Sequence, residues 1–169
     1  SWKKYLHPPE RRLWSAESND HDFKIIPDEP DASKFAFLGV RSCELHAIAI
    51  QDKIFLNDKY VDPVYQVRRE NAFFIAVQCG QSGGTCFCVS MKTGPKVESG
   101  FDLALTEILD DDRHHFVVEV GSERGSALIE KIAHRQTQNL DVIEAQQVVE
   151  ETAKHMGRSL DTTKIKELL

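Results

Sequence analysis

Four cysteines, Cys43, Cys79, Cys86 and Cys88, are the residues of this 169-residue chain whose type and spacing could do chemistry. Two of them stand one residue apart in GGTCFC, 83–88, behind a pair of glycines. Thiolates are soft ligands that suit zinc and iron–sulfur centres. Neighbouring thiols can also exchange as a redox pair. Free cysteine is among the most buried residue types, so plain packing is the bland alternative. The spacing C-x6-C-x-C with one remote cysteine is neither the ferredoxin run nor a standard zinc pattern. Spacing alone therefore leaves an iron–sulfur or zinc site, buried filler and a redox pair all open.

The elements around the cysteines predict where they emerge. FAFLGV, 35–40, and AFFIAV, 72–77, are short apolar runs of the kind that form buried strands. Cys43 follows the first run and Cys79 closes the second, AFFIAVQC. In α/β sheets, sites collect outside the carboxyl ends of strands. If the two strands are parallel neighbours, Cys43 and Cys79 share an edge, and the loop from Gly80 to Cys88 returns Cys86 and Cys88 to it. Ser42 is a candidate N-cap for a helix over 44–56, which places Cys43 and Glu44 in its first turn. A helix N-terminus favours a thiolate there. The run GQSGGT, 80–85, offers small residues whose backbone can approach a bulky group closely.

Further along, Asp62 and Pro63 open a predicted helix over 62–71. CFCVSMKTGPKV, 86–97, reads as partly extended; 100–109 reads as a strand running into a turn, with a helix as the alternative, 114–120 as a strand, and 122–136 as a helix striped by Leu128, Ile129, Ile132 and Ala133. Residues 144–157 form a helix stopped near Gly157, with another begun after Asp161. Strands alternating with helices predict a single α/β domain with a mixed, partly parallel sheet flanked by helices. Residues 1–34, broken by four prolines, read as an irregular arm with a short strand at 23–26. Residues 35–136 are the α/β core, and 137–169 a helical connector. The first residue is Ser and the last ones read as helix, so the chain is expected to be a piece of a longer protein.

Bulk properties exclude several classes. A net charge of −6 and a pI near 5.6 argue against a nucleic-acid surface. The apolar runs are far shorter than the ~20 residues of a membrane span, and no signal peptide is visible. Clustered cysteines without a secreted framework point to a reducing cytoplasm. TGPK, 93–96, is no Walker loop and no GxGxxG opens a helix. Arg41 reads as either a counter-charge for the cysteines or a salt-bridge partner. Arg68, Arg69 and Glu70 read as a solvated or partner-docked face, His46 as a core or rim histidine, and His114 and His115 as surface residues. Asp110, Asp111 and Asp112 read as a solvated turn, and Asp102 and Glu107 as local hydrogen-bonding groups.

Four blocks in order, GVRSCELHAIAIQDKIF (39–55), DPVYQVRRENAFFIAVQC (62–79), GGTCFCVSMKTGP (83–95) and GFDLALTEI (100–108), resemble a known family. They are similar to the iron–sulfur subunits typified by the beta subunit of sulfhydrogenase, with its counterpart in anaerobic sulfite reductase, over roughly residues 35–135. The resemblance implies a cytoplasmic electron-transfer subunit, with a C-terminal dicluster ferredoxin module lying beyond this chain. Such a subunit relays electrons between a protein that binds flavin and NAD(P)H and a catalytic partner that reduces protons, sulfur or sulfite. It also implies that Cys43, Cys79, Cys86 and Cys88 bind a [4Fe–4S] cluster, with zinc as the alternative, and that this piece alone catalyses nothing. The rival readings are a docking domain with zinc or buried cysteines, and a thiol redox sensor. Where the family has Pro before and Asp after the first cysteine, this chain has Ser42 and Glu44.

Overall fold

The computed structural model describes residues 2–19, 22–57, 59–110 and 112–165. The chain divides into two compact units, one of residues 1–35 and 52–72, the other of residues 36–51 and 73–169.

The first unit holds a short helix α1 (Lys3–Leu6), an antiparallel hairpin of β1 (Trp14–Asn19) and β2 (Asp22–Pro27), and α3 (Pro63–Glu70). The strand expected at 23–26 falls within β2, while the rest of the arm, expected to be extended or looped, holds a helix and the other strand of the hairpin. The reason is side-chain anchoring: Trp2 and Leu6 are buried with Val64, Tyr65 and Ala72. Asp62 caps α3, accepting from the Val64 and Tyr65 N–H groups at 2.9 and 3.0 Å, with Pro63 at the first helical position. Arg68 and Arg69 do not form the solvated face expected of them. Arg68 donates to the Tyr5 carbonyl at 2.7 Å and pairs with Asp31, while Arg69 Nε reaches both Asp52 oxygens at 3.1 Å. Asp52 also accepts from the buried Tyr65 hydroxyl at 2.7 Å, which accounts for a carboxylate in an otherwise apolar helical stripe.

The second unit is built on a four-stranded sheet in the order β3 (Phe35–Arg41), β4 (Ala72–Val77), β5 (Leu103–Leu109), β6 (His114–Val120). β4 and β5 run parallel, with Val77 opposite Leu105, and β5 and β6 run antiparallel. The expected α/β fold with a mixed, partly parallel sheet is what the chain forms. β4 alternates buried and half-buried residues, and the core gathers Phe74 and Ala76 with Leu45, Ile48, Val97, Phe101, Leu103, Ala104 and Ile108. β3 is not the buried strand its composition suggested. It is the sheet edge, and Leu38 is 72% exposed. Residues 86–97 hold no strand, and 88–92 form turns.

Three helices belong wholly or mainly to this unit: α2 (Ser42–Phe55), α4 (Glu123–Ile129) and α5 (Asn139–Lys154), the last lying against β5 and β6. Ser122 caps α4 by accepting from Gly125 N–H at 3.0 Å. α4 stops at Ile129, well short of 136. Arg135 is instead drawn to Asp141 by two hydrogen bonds of 2.7 and 2.6 Å, and Asp141 accepts from Gln138 N–H at 2.8 Å to start α5. The chain must leave the helix to make that cap. Residues 162–164 form a turn, and any helix beyond Ile165 lies outside the described residues.

Candidate metal centre

Each cysteine is delivered by an element whose local chemistry explains its position. β3 ends at Arg41 and α2 begins at once, putting Cys43 in the first turn of α2, exposed to solvent. Ser42 is not the N-cap expected: it is the first residue of the helix and donates its hydroxyl to the Lys96 carbonyl at 2.7 Å. The capping falls to Glu44, whose carboxylate accepts from Arg41 N–H at 3.2 Å. Just past the end of β4, Gln78 N–H still reaches the Leu105 carbonyl at 2.8 Å, and Cys79 follows half-buried.

The loop carrying Cys86 and Cys88 leaves from β4 and is tied back to the same two strand ends. The Gln78 side chain accepts from Val97 N–H at 2.7 Å, while Ser42 holds Lys96. Within the loop, Cys86 N–H donates to Gly83 O at 3.0 Å and Thr93 N–H to Cys88 O at 2.9 Å. Gly94 lies in the left-handed region at φ +152°, and a methyl group there would stand 3.3 Å from Cys88 Sγ and 3.2 Å from Ser42 Cβ. Only glycine fits the turn that brings Cys88 in.

All four cysteines line one cavity of about 570 Å³, with Arg41, Gln81, Ser82, Gly83, Thr85, Phe87, Thr93, Pro95, Thr152 and Met156 completing its wall. None of these lining residues is Asp or Glu, so the donor set is sulfur and suits soft metals rather than calcium or magnesium. Burial pushes the Cys79 thiol up, and the Cys43 and Cys88 sulfurs add to the effect while Arg41 opposes it. Burial likewise raises Cys88, reinforced by Cys43 and Cys86. Mutual repulsion among thiolates is what a bound cation relieves. Arg41 forms the expected salt bridge, pairing with Glu44 at 3.3 Å, and it also lines the cavity within electrostatic reach of Cys43 and Cys79. Gly83 N–H donates to Cys86 Sγ at 3.3 Å.

The wall formed by Thr152 and Met156 had no sequence signal beyond the glycine at 157, read only as a helix stop. His46 is exposed and does not line the cavity. His114 bonds Glu107 at 2.8 Å on the surface, whereas Asp102 is not the local hydrogen-bonding group expected: its partners Phe74 and Ser122 lie 28 and 20 residues away in the chain. His115 is not the surface residue expected. Strand alternation turns it inward, where it gathers with Asp141 and Glu144 within 4.8 Å. Arg135 and Arg113 already neutralise those carboxylates, at 2.6 and 2.9 Å. Asp110 accepts from the Asp112 and Arg113 N–H groups in a turn, and Asp111 lies outside the described residues.

A mixed α/β sheet delivering four cysteines to one carboxylate-free cavity defines a candidate metal protein of the soft-ligand class. The chain is 32% identical over 127 residues to sulfhydrogenase 2 subunit beta of Pyrococcus furiosus, a match covering 75% of this chain and 34% of that protein. It is therefore related to a sulfhydrogenase beta subunit, of which it spans about a third of the length. No family model and no solved structure matches the chain. Among the described residues, no helix is long and apolar enough to cross a membrane.

Proposed function

We propose that Cys43, Cys79, Cys86 and Cys88 ligate a [4Fe–4S] cluster, and that the chain is the N-terminal part of an electron-transfer subunit in a cytoplasmic multi-subunit oxidoreductase of the hydrogenase, sulfur- or sulfite-reductase type. Its partners are two other subunits, one binding flavin and NAD(P)H and one catalytic. The arrangement of all four cysteines around a single cavity is the observation that carries this reading. The relationship to a subunit of a sulfhydrogenase supplies the kind of complex.

When bound, such a cluster supplies one-electron transfer at a potential set by its hydrogen bonds and exposure. The chain's own groups match those needs. Gly83 N–H points at Cys86 Sγ, Arg41 offers a cation beside Cys43 and Cys79, and Phe87 and Met156 add apolar wall.

Anaerobic reconstitution with iron and sulfide tests the reading. The expected result is a visible band with about four irons per chain, lost in Cys86→Ser and Cys88→Ser. A colourless chain that takes up zinc through the same cysteines would establish the docking-domain alternative instead.

A further inference from the structure

Beyond the cysteines themselves, residues 155–160 make a second wall: His155 is anchored to Glu151 of α5, and the segment makes several contacts with the loop that carries Cys86 and Cys88. Ser82 Oγ donates to the His155 carbonyl, Arg158 N–H donates to the Cys86 carbonyl at 2.8 Å, and Leu160 N–H donates to Ser90 Oγ at 3.0 Å. Met156 Sδ lies 3.9 Å from Cys88 Sγ. Gly157 is pressed against the backbone of Gly83 and Gly84: a methyl group on it would collide with Gly83 O and stand 2.6 Å from Gly84 C. Gly157 is not in the left-handed region, so space rather than backbone conformation demands glycine there. Neither neighbour is a flexible side chain that could swing aside.

We propose that residues 155–160 are a strap closing the cysteine cavity over Cys86 and Cys88, with Gly157 as its positioning residue. The significance of that closure rests on the cluster reading, since solvent exposure and backbone hydrogen bonding set a cluster's potential. The strap itself does not need metal. Three hydrogen bonds at successive points along the loop hold it like a seam, and each ties the loop to the chain that follows α5 rather than to the sheet. Cys43 lies outside this seam, on the first turn of α2. The strap therefore controls two of the four sulfurs and leaves Cys43 untouched as an internal control. Met156 covers Cys88 with an uncharged thioether, adding no carboxylate to the cavity.

Alkylation of the reduced, metal-free full chain by iodoacetamide, with each cysteine followed separately by mass spectrometry, tests the strap. Thiol labelling reports local opening as well as intrinsic reactivity. Gly157→Ala should accelerate Cys86 and Cys88 while leaving Cys43 at its wild-type rate. Ser82→Ala and Ser90→Ala remove single ties without a clash and keep the fold, so each should accelerate the same two cysteines about fivefold, the equivalent of one lost hydrogen bond. Amide exchange at Arg158 and Leu160 should quicken in the same variants. Unchanged Cys86 and Cys88 rates in the serine variants would overturn the strap. So would equal acceleration of all four cysteines, which would mean that these contacts support the whole fold. Because the labelled chain is metal-free, failure of iron reconstitution would sink the cluster and leave this result standing.

Discussion

Replacing Asp102 tests whether the strand that delivers Cys79 is held by one buried carboxylate. Asp102 is 3% exposed and binds three residues from two elements, β4 and α4 with its cap. Its Oδ2 accepts from Phe74 N–H of β4 at 2.8 Å, and its Oδ1 accepts from the Ser122 hydroxyl at 2.6 Å, at the cap of α4. Arg124 approaches both oxygens at 3.2 Å. In Asp102→Asn, one oxygen can still serve Phe74, but the amide nitrogen then faces Ser122 and Arg124 as donor against donors. The Arg124 side chain is 52% exposed, so its ion pair contributes little and water replaces it. The loss is mainly one charge-assisted hydrogen bond, about 2 kcal/mol. Asp102→Ala also strands a buried Phe74 N–H, for a total of about 4 kcal/mol. Against a typical stability of about 5–15 kcal/mol, the alanine variant should be marginal and the asparagine variant folded. Urea unfolding should show the midpoint of Asp102→Asn falling by about 1 M at unchanged slope. A change below about 0.5 kcal/mol in Asp102→Asn would refute the claim that this carboxylate ties β4 to α4.

Two further outcomes follow from the geometry. Burial, with Asp52 beside it, raises the pKa of Tyr65, so its contribution is complete below the unfolded tyrosine value of about 10 and is lost as pH rises through the folded value. Tyr65→Phe should cost about 1.5 kcal/mol at neutral pH and flatten the alkaline limb of a stability profile; an alkaline limb as steep as wild type would sink that assignment. Gly94→Ala should lower iron uptake on reconstitution, because its methyl group meets Cys88 Sγ at 3.3 Å in a backbone conformation alanine resists; full iron content in that variant would show that the turn tolerates a side chain.

Much of the scaffold was legible because its signals are local. The apolar runs at 72–77, 103–109 and 114–120 have strand length and composition, and Asp62-Pro63 is a cap whose partners lie within three residues. What misled was environment. FAFLGV reads the same whether a strand is central or at an edge, and only the sheet order makes β3 the edge. Arg68 and Arg69 read as a solvated face because their partners, Tyr5 and Asp31 for one and Asp52 for the other, are remote in sequence. His115 looked superficial for the same reason: its inward neighbour Asp141 lies on α5.

Residue types and short-range pattern were enough to make the chain α/β, to set its cysteines after strands, and to point its soft donors towards metal or redox chemistry. Folding was needed to bring the four sulfurs to one carboxylate-free cavity, to let Ser42 and Gln78 pin the far end of the cysteine loop, and to press Gly157 onto Gly83 and Gly84. Those contacts join residues tens of positions apart. Their strength comes from close approach of backbone to backbone, which no residue type announces until the chain has folded.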